Sequence, residues 1–401
     1  VARWPAAQLD DALAQLVASG LLIEHAPRGA RTFSFKHALV QEVTYSTLLR
    51  ARRPPLHALI ATALESRFPE TVTSQPEVLA RHLAEAGLDD RAVLAYRQAG
   101  QLALSRSAEI EAAAHLSHAL ALLQSLPDGE PRDRLELSLQ TLHGLALSAA
   151  RGYADTLTIA AFERARVLVH QVGAIESVSS IFNGLYVFFS NRAETAQALE
   201  IAFEFLAIAE QAEDPLSLMS ASRMVASTYN MMGQFRRARP YCERAMALAS
   251  VEAEARQNTR LIEHPGVEAM RSLAIMFWHA GEVEKALAVE RDLILYAAGI
   301  AHANTLGSVL GLVICTSAFR RRDFETMDIM SQRLIQHGQT YGLEMWEWLG
   351  RAYRGWLLIH QAQPERGIGE LERAMSRFER TQAQAVRLMH LSMLGEGYLA
   401  Q

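Results

Sequence analysis

Small residues recur along the chain at a nearly regular interval, and this recurrence constrains the fold more than any other feature. In a pair of antiparallel helices, a small side chain near the start of the second helix lets the two backbones approach closely. Successive separations of 48, 38, 40, 48, 41 and 40 residues join seven such positions: Ala112, Ala160, Ala198, Ala238, Ala286, Met327 and Gly367. This spacing predicts a row of helical hairpins along most of the 401 residues.

The best-preserved copy is "SRMVASTYNMMGQFRRARPYCERAMALA". It has a small residue in the first helix, a turn glycine and two alanines seven positions apart in the second helix: Ala226, Gly233, Ala238 and Ala245. The interval exceeds the 34 residues of a standard tetratricopeptide repeat, and HEAT repeats share the longer period. The turn glycines and paired alanines favour the tetratricopeptide class. We therefore predict an all-α, tetratricopeptide-like α-solenoid with lengthened helices, whose groove binds a protein or peptide.

Residues 1–53 do not follow the repeat. A helix is predicted from residue 8 to 19, with a stop at Gly20. Two short strands, "LLIEHA" and "RTFSF", flank a tight turn, "PRGA". A second helix follows His37, with a predicted buried face made of Leu39, Val40, Val43, Leu48 and Leu49.

Helix, β-hairpin and helix are the layout of a winged-helix domain. We therefore predict two domains, a winged-helix-like unit at 1–53 and a tetratricopeptide-like array at 54–401 that is truncated in its last hairpin. Winged helices often bind DNA, but the helix "ALVQEVTYSTLL" contains no Lys or Arg. A net charge of −5 likewise predicts no nucleic-acid partner.

Other classes of protein are disfavoured by what the sequence lacks. The apolar runs, such as residues 309–315, are too short to span a bilayer, so no membrane partner is expected. Cys242 and Cys315 stand alone among small residues, which indicates buried reduced thiols and a cytoplasmic compartment.

Neither lysine, Lys36 or Lys285, lies in a phosphate-binding loop. His115 and His118 share a helix face, but no carboxylate–histidine constellation surrounds them, so we expect no metal site and no enzyme in this chain.

The string "FSFKHALVQEVTYSTLL" and the sequence after it resemble one bacterial family of multidomain signalling proteins. These proteins carry a class III adenylyl cyclase domain, a STAND-type (AAA-related) ATPase, a winged helix and tetratricopeptide-like repeats. The resemblance is dense over residues 9–125. The pattern F-x-H-x-L-x-Q-E-x-x-Y-x-x-L, from Phe35 to Leu48, is its most specific part.

The resemblance implies a non-catalytic regulatory and interaction module of a larger nucleotide-switched protein. Its partners would be an ATPase domain in cis and a protein or peptide in the repeat groove. No cofactor is expected in this chain; ATP or ADP and a divalent metal would belong to the other domains of the parent. A start at Val1, without Met, fits a fragment. The alternative is a fragment of a STAND-type transcriptional activator with a DNA-binding output domain.

His37 is the nucleotide-contact candidate that the resemblance implies. STAND ATPases carry a Met-His-Asp motif after the wing, whose histidine contacts the ADP β-phosphate in the closed state. "FKHALVQE" occupies the corresponding place, although Lys36 and Ala38 replace the Met and the Asp. The alternative is that His37 caps or packs the start of the helix.

Four aromatic residues cluster in "YGLEMWEWLGRAYRGWLLIH" and are the partner-binding candidates: Trp346, Trp348, Tyr353 and Trp356. Residues two positions apart cannot share a helix face, so Trp346 and Trp348 cannot both be buried in the same way. We expect one or two of these side chains to fill the core. At least one is expected to line the groove, since Trp is favoured at binding hot spots.

Overall fold

The computed structural model describes residues 5–25, 31–106, 108–151, 155–173, 178–248, 265–299, 303–381 and 387–401. The chain forms two compact units, Val1–Ala174 and Ile175–Gln401. Both units consist mainly of helices, which confirms the predicted tetratricopeptide-like, all-α class. The predicted domain boundary after residue 53 stays a prediction.

The first unit begins with a helix, a β-hairpin and a helix, and continues with helices only. Its elements are α1 Ala6–Ala18, β1 Leu22–His25, β2 Thr32–Phe35, α2 Ala38–Thr47, a 3₁₀ turn Arg50–Arg52, α3 Arg53–Arg67, α4 Pro69–Ser74, α5 Pro76–Glu85, α6 Asp89–Ser105, α7 Glu109–Leu123, α8 Glu130–Arg151 and α9 Thr156–Val172.

The second unit is helical throughout its described part. Its elements are α10 Val178–Asn191, α11 Thr195–Ala212, α12 Pro215–Met231, α13 Phe235–Leu248, α14 Pro265–His279, α15 Val283–Gly299, α16 Ala303–Ser308, a π-helical stretch Val309–Cys315, α17 Thr316–Arg321, α18 Phe324–Tyr341, α19 Glu344–His360, α20 Pro364–Thr381 and α21 Arg387–Leu399.

The two strands pair in antiparallel fashion, with Leu22 opposite Phe35 and His25 opposite Thr32. This hairpin was predicted, and it forms the one sheet of the described residues. The predicted turn "PRGA" lies outside the described residues. The winged-helix assignment of this region stays a prediction.

Antiparallel helix pairs such as α6–α7, α12–α13 and α19–α20 build the array. Six of the seven predicted small positions are the fourth residue of a second helix, and all six are buried: Ala112, Ala198, Ala238, Ala286, Met327 and Gly367. The seventh prediction is wrong, because Ala160 is exposed. Thr158 and Ala165, seven positions apart and fully buried, take its place in α9.

The turns between helices also follow the prediction. Gly233 and Gly281 have φ angles of +71° and +76°, in the left-handed region where a residue with a Cβ is strained. Each ends the first helix of its hairpin. The added turn or loop predicted in "SVEAEARQNTRLIEHPG" falls almost entirely on residues 249–264, outside the described residues.

Both cysteines are free and buried, as expected. Burial raises the pKa of the Cys242 thiol to about 12, so this group stays protonated at neutral pH. Cys315 lies in the π-helical stretch, and burial raises the pKa of its thiol as well.

Candidate functional site

His37 lies immediately before α2, in an extended conformation with φ −136° and ψ 134°. Its side chain is exposed and makes no capping hydrogen bond to the helix. The structure therefore gives no support to a capping role. The contact with a nucleotide phosphate, which the family resemblance implies, stays a prediction.

The helix that follows has an exposed apolar face. Leu39 is 69% exposed and Val43, one turn later, is 54% exposed. None of the described residues 5–25 and 31–60 is buried, so this region has no core of its own. The prediction that Leu39, Val43 and Leu49 are buried is therefore wrong for this chain, in which no described element covers them. Side chains three or four positions apart share a helix face, so Leu39 and Val43 form one apolar stripe.

The other end of α2 is tied to α3 by Arg53. The Arg53 guanidinium donates to the carbonyl oxygens of Leu48 and Ser46, each at 3.2 Å. The last carbonyl oxygens of a helix have no N–H partner within the helix, so Arg53 supplies the missing donors at the end of α2. The guanidinium carbon also lies 4.7 Å from the centre of the Tyr45 ring, a cation–π contact.

A hydrogen-bonded chain of three side chains then joins α2, α3 and α5. The Tyr45 hydroxyl lies 3.0 Å from His57 Nε2, and His57 Nδ1 lies 2.8 Å from His82 Nδ1. One facing imidazole nitrogen must donate and the other accept, so the pair keeps this bond only while at least one ring is neutral. Burial lowers the pKa of His82, and the neighbouring His57 and Arg81 lower it further against the opposing charge of Glu85.

These side chains border a cavity of about 400 Å³. Its polar lining is Gln41, Tyr45, Arg53, His57, Arg81, His82 and Glu85, and its apolar lining is Leu48, Leu56 and Ile60. This site could not be predicted from the sequence, because Tyr45, His57 and His82 are separated by 12 and 25 residues and match no motif. The four-residue spacing of Gln41 and Tyr45 places these two residues on one face of α2.

The aromatic cluster of α19 is mostly core. Trp346, Tyr353 and Trp356 are buried, with exposures of 4%, 0% and 0%. Their polar atoms bond internally: Trp346 Nε1 donates to Asn304 Oδ1 at 2.6 Å, Tyr353 Oη to the Gly311 carbonyl at 2.9 Å and Trp356 Nε1 to Glu396 Oε2 at 3.0 Å. Burial leaves these three side chains no face for a partner.

Trp348 is the partly buried member of the cluster. Two guanidinium groups lie close to its ring, with the Arg351 carbon 5.3 Å and the Arg377 carbon 5.1 Å from the ring centre. The different burial of Trp346 and Trp348 agrees with their spacing of two residues. A contact between Trp348 and a partner stays a prediction.

The described residues contain no group of three or more His, Cys, Asp and Glu side chains placed to hold a metal ion. His115 and His118 instead lie beside the Tyr96 ring, at centroid distances of 6.2 and 5.4 Å. No helix in the described ranges has the length and apolar character needed to cross a membrane.

Comparison with known sequences gives one relative and no matching family model. An uncharacterised protein of Rhizobium meliloti (strain 1021) is 24% identical over 392 residues, which is 96% of this chain and 38% of the relative. The chain thus spans less than two-fifths of the length of the relative that it matches.

Comparison with solved structures gives several helical repeat proteins. The apo form of the quorum sensor NprR from B. thuringiensis has a TM-score of 0.55 at 12% identity, covering 92% of this chain and 94% of that one. A Rap protein complexed with Competence and Sporulation Factor has a TM-score of 0.52 at 11% identity, covering 88% and 99%.

A third similar structure is the Signal Transduction ATPase with Numerous Domains (STAND) protein with a tetratricopeptide repeat sensor from Pyrococcus horikoshii. Its TM-score is 0.51 at 15% identity, covering 95% of this chain and 60% of that chain. At such low identities the three likenesses establish the fold, a tetratricopeptide-like array of helical hairpins.

Proposed function

We propose that this chain is a non-catalytic regulatory and protein-interaction module of a larger, nucleotide-switched signalling protein. In this proposal the helical array binds a protein or peptide. The N-terminal segment docks against an ATPase domain of the same polypeptide, and His37 contacts the β-phosphate of ADP. An adenylyl cyclase output domain in the parent is part of the same proposal, by family resemblance.

The observation that carries the proposal is the apolar stripe of Leu39 and Val43 on a segment without a core. Burying one such side chain is worth about 1.5–3 kcal/mol, so leaving both in water is costly unless another domain covers them. The relative from Rhizobium meliloti is much longer than this chain, which supports further domains in the parent. The STAND protein from Pyrococcus horikoshii, with its tetratricopeptide repeat sensor, supports an ATPase among them.

The second part of the proposal is that the helical array binds a protein or peptide partner. The Rap protein of similar fold is described in complex with Competence and Sporulation Factor, which supports a partner bound to the repeats here. Trp348, with Arg351 and Arg377 close to its ring, is the contact that we assign to such a partner, because Trp and Arg are enriched at hot spots.

The test is hydrogen exchange of the α2 amides in the full-length protein, with ADP and without nucleotide. Burial of Leu39 and Val43 in the ADP state would slow exchange by roughly a hundredfold or more, given about 1.5–3 kcal/mol for each side chain. The double variant Leu39→Asp, Val43→Asp should lose this protection. Ile110→Asp is the matched control, because Ile110 is 80% exposed on α7 of the same unit.

Ile110→Asp should leave the ADP-dependent protection unchanged. Equal exchange of α2 with and without ADP in the wild-type protein would overturn the docking proposal. Protection that survives the double variant would show that another surface makes the contact.

A further inference from the structure

The cavity bordered by α2, α3 and α5 is lined by two chemically different sets of side chains. Leu48, Leu56 and Ile60 form the apolar lining. Tyr45, His57 and His82 bring hydrogen-bonding groups to the polar lining. A volume of about 400 Å³ is in the range of small-molecule sites, which combine an apolar lining with a few convergent polar groups.

The polar lining is suited to an anion. Arg81 is exposed at the cavity and forms no ion pair or hydrogen bond with any described residue. Arg53 adds a second positive charge, and Glu85 is the one carboxylate in the lining.

The two imidazoles can respond to an anion in a way that no fixed charge can. Without a ligand, the bond between the facing Nδ1 atoms requires one neutral ring as acceptor. A carboxylate between the rings would accept one hydrogen bond from each, and its negative charge would favour the cationic form of one of the two rings. The additional proton would come from the solvent.

We propose that this cavity binds a small carboxylate with an apolar chain, held between His57 and His82 with its chain along Leu56 and Ile60. Binding takes up at most one proton per ligand and separates the two rings. The site lies where α2 meets the array, so a bound ligand alters the Tyr45–His57 contact and hence the attachment of α2. The proposal concerns this chain alone and does not depend on an ATPase partner.

Two other ligands fit the cavity less well. A metal ion would find two imidazole nitrogens, but no group of three suitable side chains occurs among the described residues. Inorganic phosphate would satisfy Arg81 and the histidines but would leave the apolar side chains of the lining uncovered. The combination of apolar and ionisable side chains in one cavity favours a carboxylate with a hydrocarbon chain.

The experiment is isothermal titration of the 401-residue chain with hexanoate at pH 7.5, in two buffers of different ionisation enthalpy. Hexan-1-ol and inorganic phosphate are the comparison ligands. We expect saturable binding of one hexanoate, with proton uptake between zero and one. Hexan-1-ol should bind at least roughly tenfold more weakly, because it lacks the charge that strengthens the hydrogen bonds.

His82→Gln should abolish proton uptake and weaken hexanoate binding by roughly ten- to a hundredfold. His143→Gln is the matched control, since His143 is a partly buried histidine of the same unit that bonds to Ser117 at 3.1 Å. It should leave binding unchanged. If His82→Gln does not fold, Arg81→Gln at the exposed rim should weaken binding without lowering the melting temperature.

Four results would overturn the proposal. They are no saturable hexanoate binding, equal affinity for hexan-1-ol, tighter binding of phosphate than of hexanoate, and hexanoate affinity unchanged in a folded His82→Gln or Arg81→Gln variant. Binding to the exposed stripe on α2 would give the last of these results.

Discussion

Two glycines on α20, two positions apart, should respond in opposite ways to the same added methyl group. A Cβ at Gly367 would lie 2.5 Å from the carbonyl oxygen of Gly355 and 2.6 Å from Ile359 Cγ1. A Cβ at Gly369 would meet only the flexible end of Arg373, at 3.9 Å. Gly367 is the small residue that lets α19 and α20 approach, so this pair of variants tests the packing rule of the whole array.

The magnitudes follow from two opposing effects. Alanine is favoured over glycine inside a helix by about 1 kcal/mol, and this gain applies at both positions. At Gly367 the methyl group also overpacks the interface, at a cost of about 1–3 kcal/mol. We expect the upper part of that range, because the nearest atom belongs to the backbone of Gly355 and cannot rotate away. The net change is a loss of about 1–2 kcal/mol for Gly367→Ala and a gain of up to about 1 kcal/mol for Gly369→Ala.

The assay is thermal melting of the intact chain followed by circular dichroism. A change of 1 kcal/mol shifts the melting temperature of a unit of 150–250 residues by roughly 2–4 °C. Gly367→Ala should therefore lower it by about 2–8 °C, whereas Gly369→Ala should raise it by a few degrees. If both variants melt higher than the wild type, α19 and α20 do not approach as closely as the structure indicates.

Two further predictions concern histidines. His37→Ala should speed ADP release from the full-length protein by roughly ten- to a hundredfold, because it removes a hydrogen bond to a charged group. The melting temperature should stay unchanged, because the His37 side chain is exposed. Unchanged ADP release would exclude the contact. Burial lowers the pKa of His390 to about 4, so its neutral form stabilises the fold above pH 6.5. Stability should fall by about 1.4 kcal/mol per pH unit between about 6.5 and 4, as the unfolded chain alone takes up the proton. His390→Phe should remove that part of the slope in melting experiments, and an unaltered slope would contradict the assignment.

The spacing of small residues was enough to predict the array, because close approach of two helices leaves room for few side chains. Ala112, Ala238 and Gly367 occupy the predicted place. The failure at Ala160 has a local cause. In α9 the packing position is held by Thr158, whose side chain is small enough to be buried although the spacing predicted Ala160 for this place.

The candidate site could not be predicted to the same extent. Helical periodicity shows that Leu39 and Val43 share a face, but it cannot show what covers that face. The hydrogen-bonded chain of Tyr45, His57 and His82 depends on how α2, α3 and α5 pack. The spacing of residues in the sequence does not predict that packing. The aromatic cluster lies between these cases, because the spacing of Trp346 and Trp348 predicted different environments but not which residue would be exposed.

The two proposals meet on the ten residues of α2. Gln41 and Tyr45 line the cavity, whereas Leu39 and Val43 are exposed. A residue two positions along a helix is rotated by about 200°, so Leu39 and Val43 lie on the side opposite Gln41. A domain docked on one side and a carboxylate bound on the other would therefore act on the same short helix. Coupling between them requires only that the ligand change how Tyr45 holds α2 against the array, and no route through the repeats is needed.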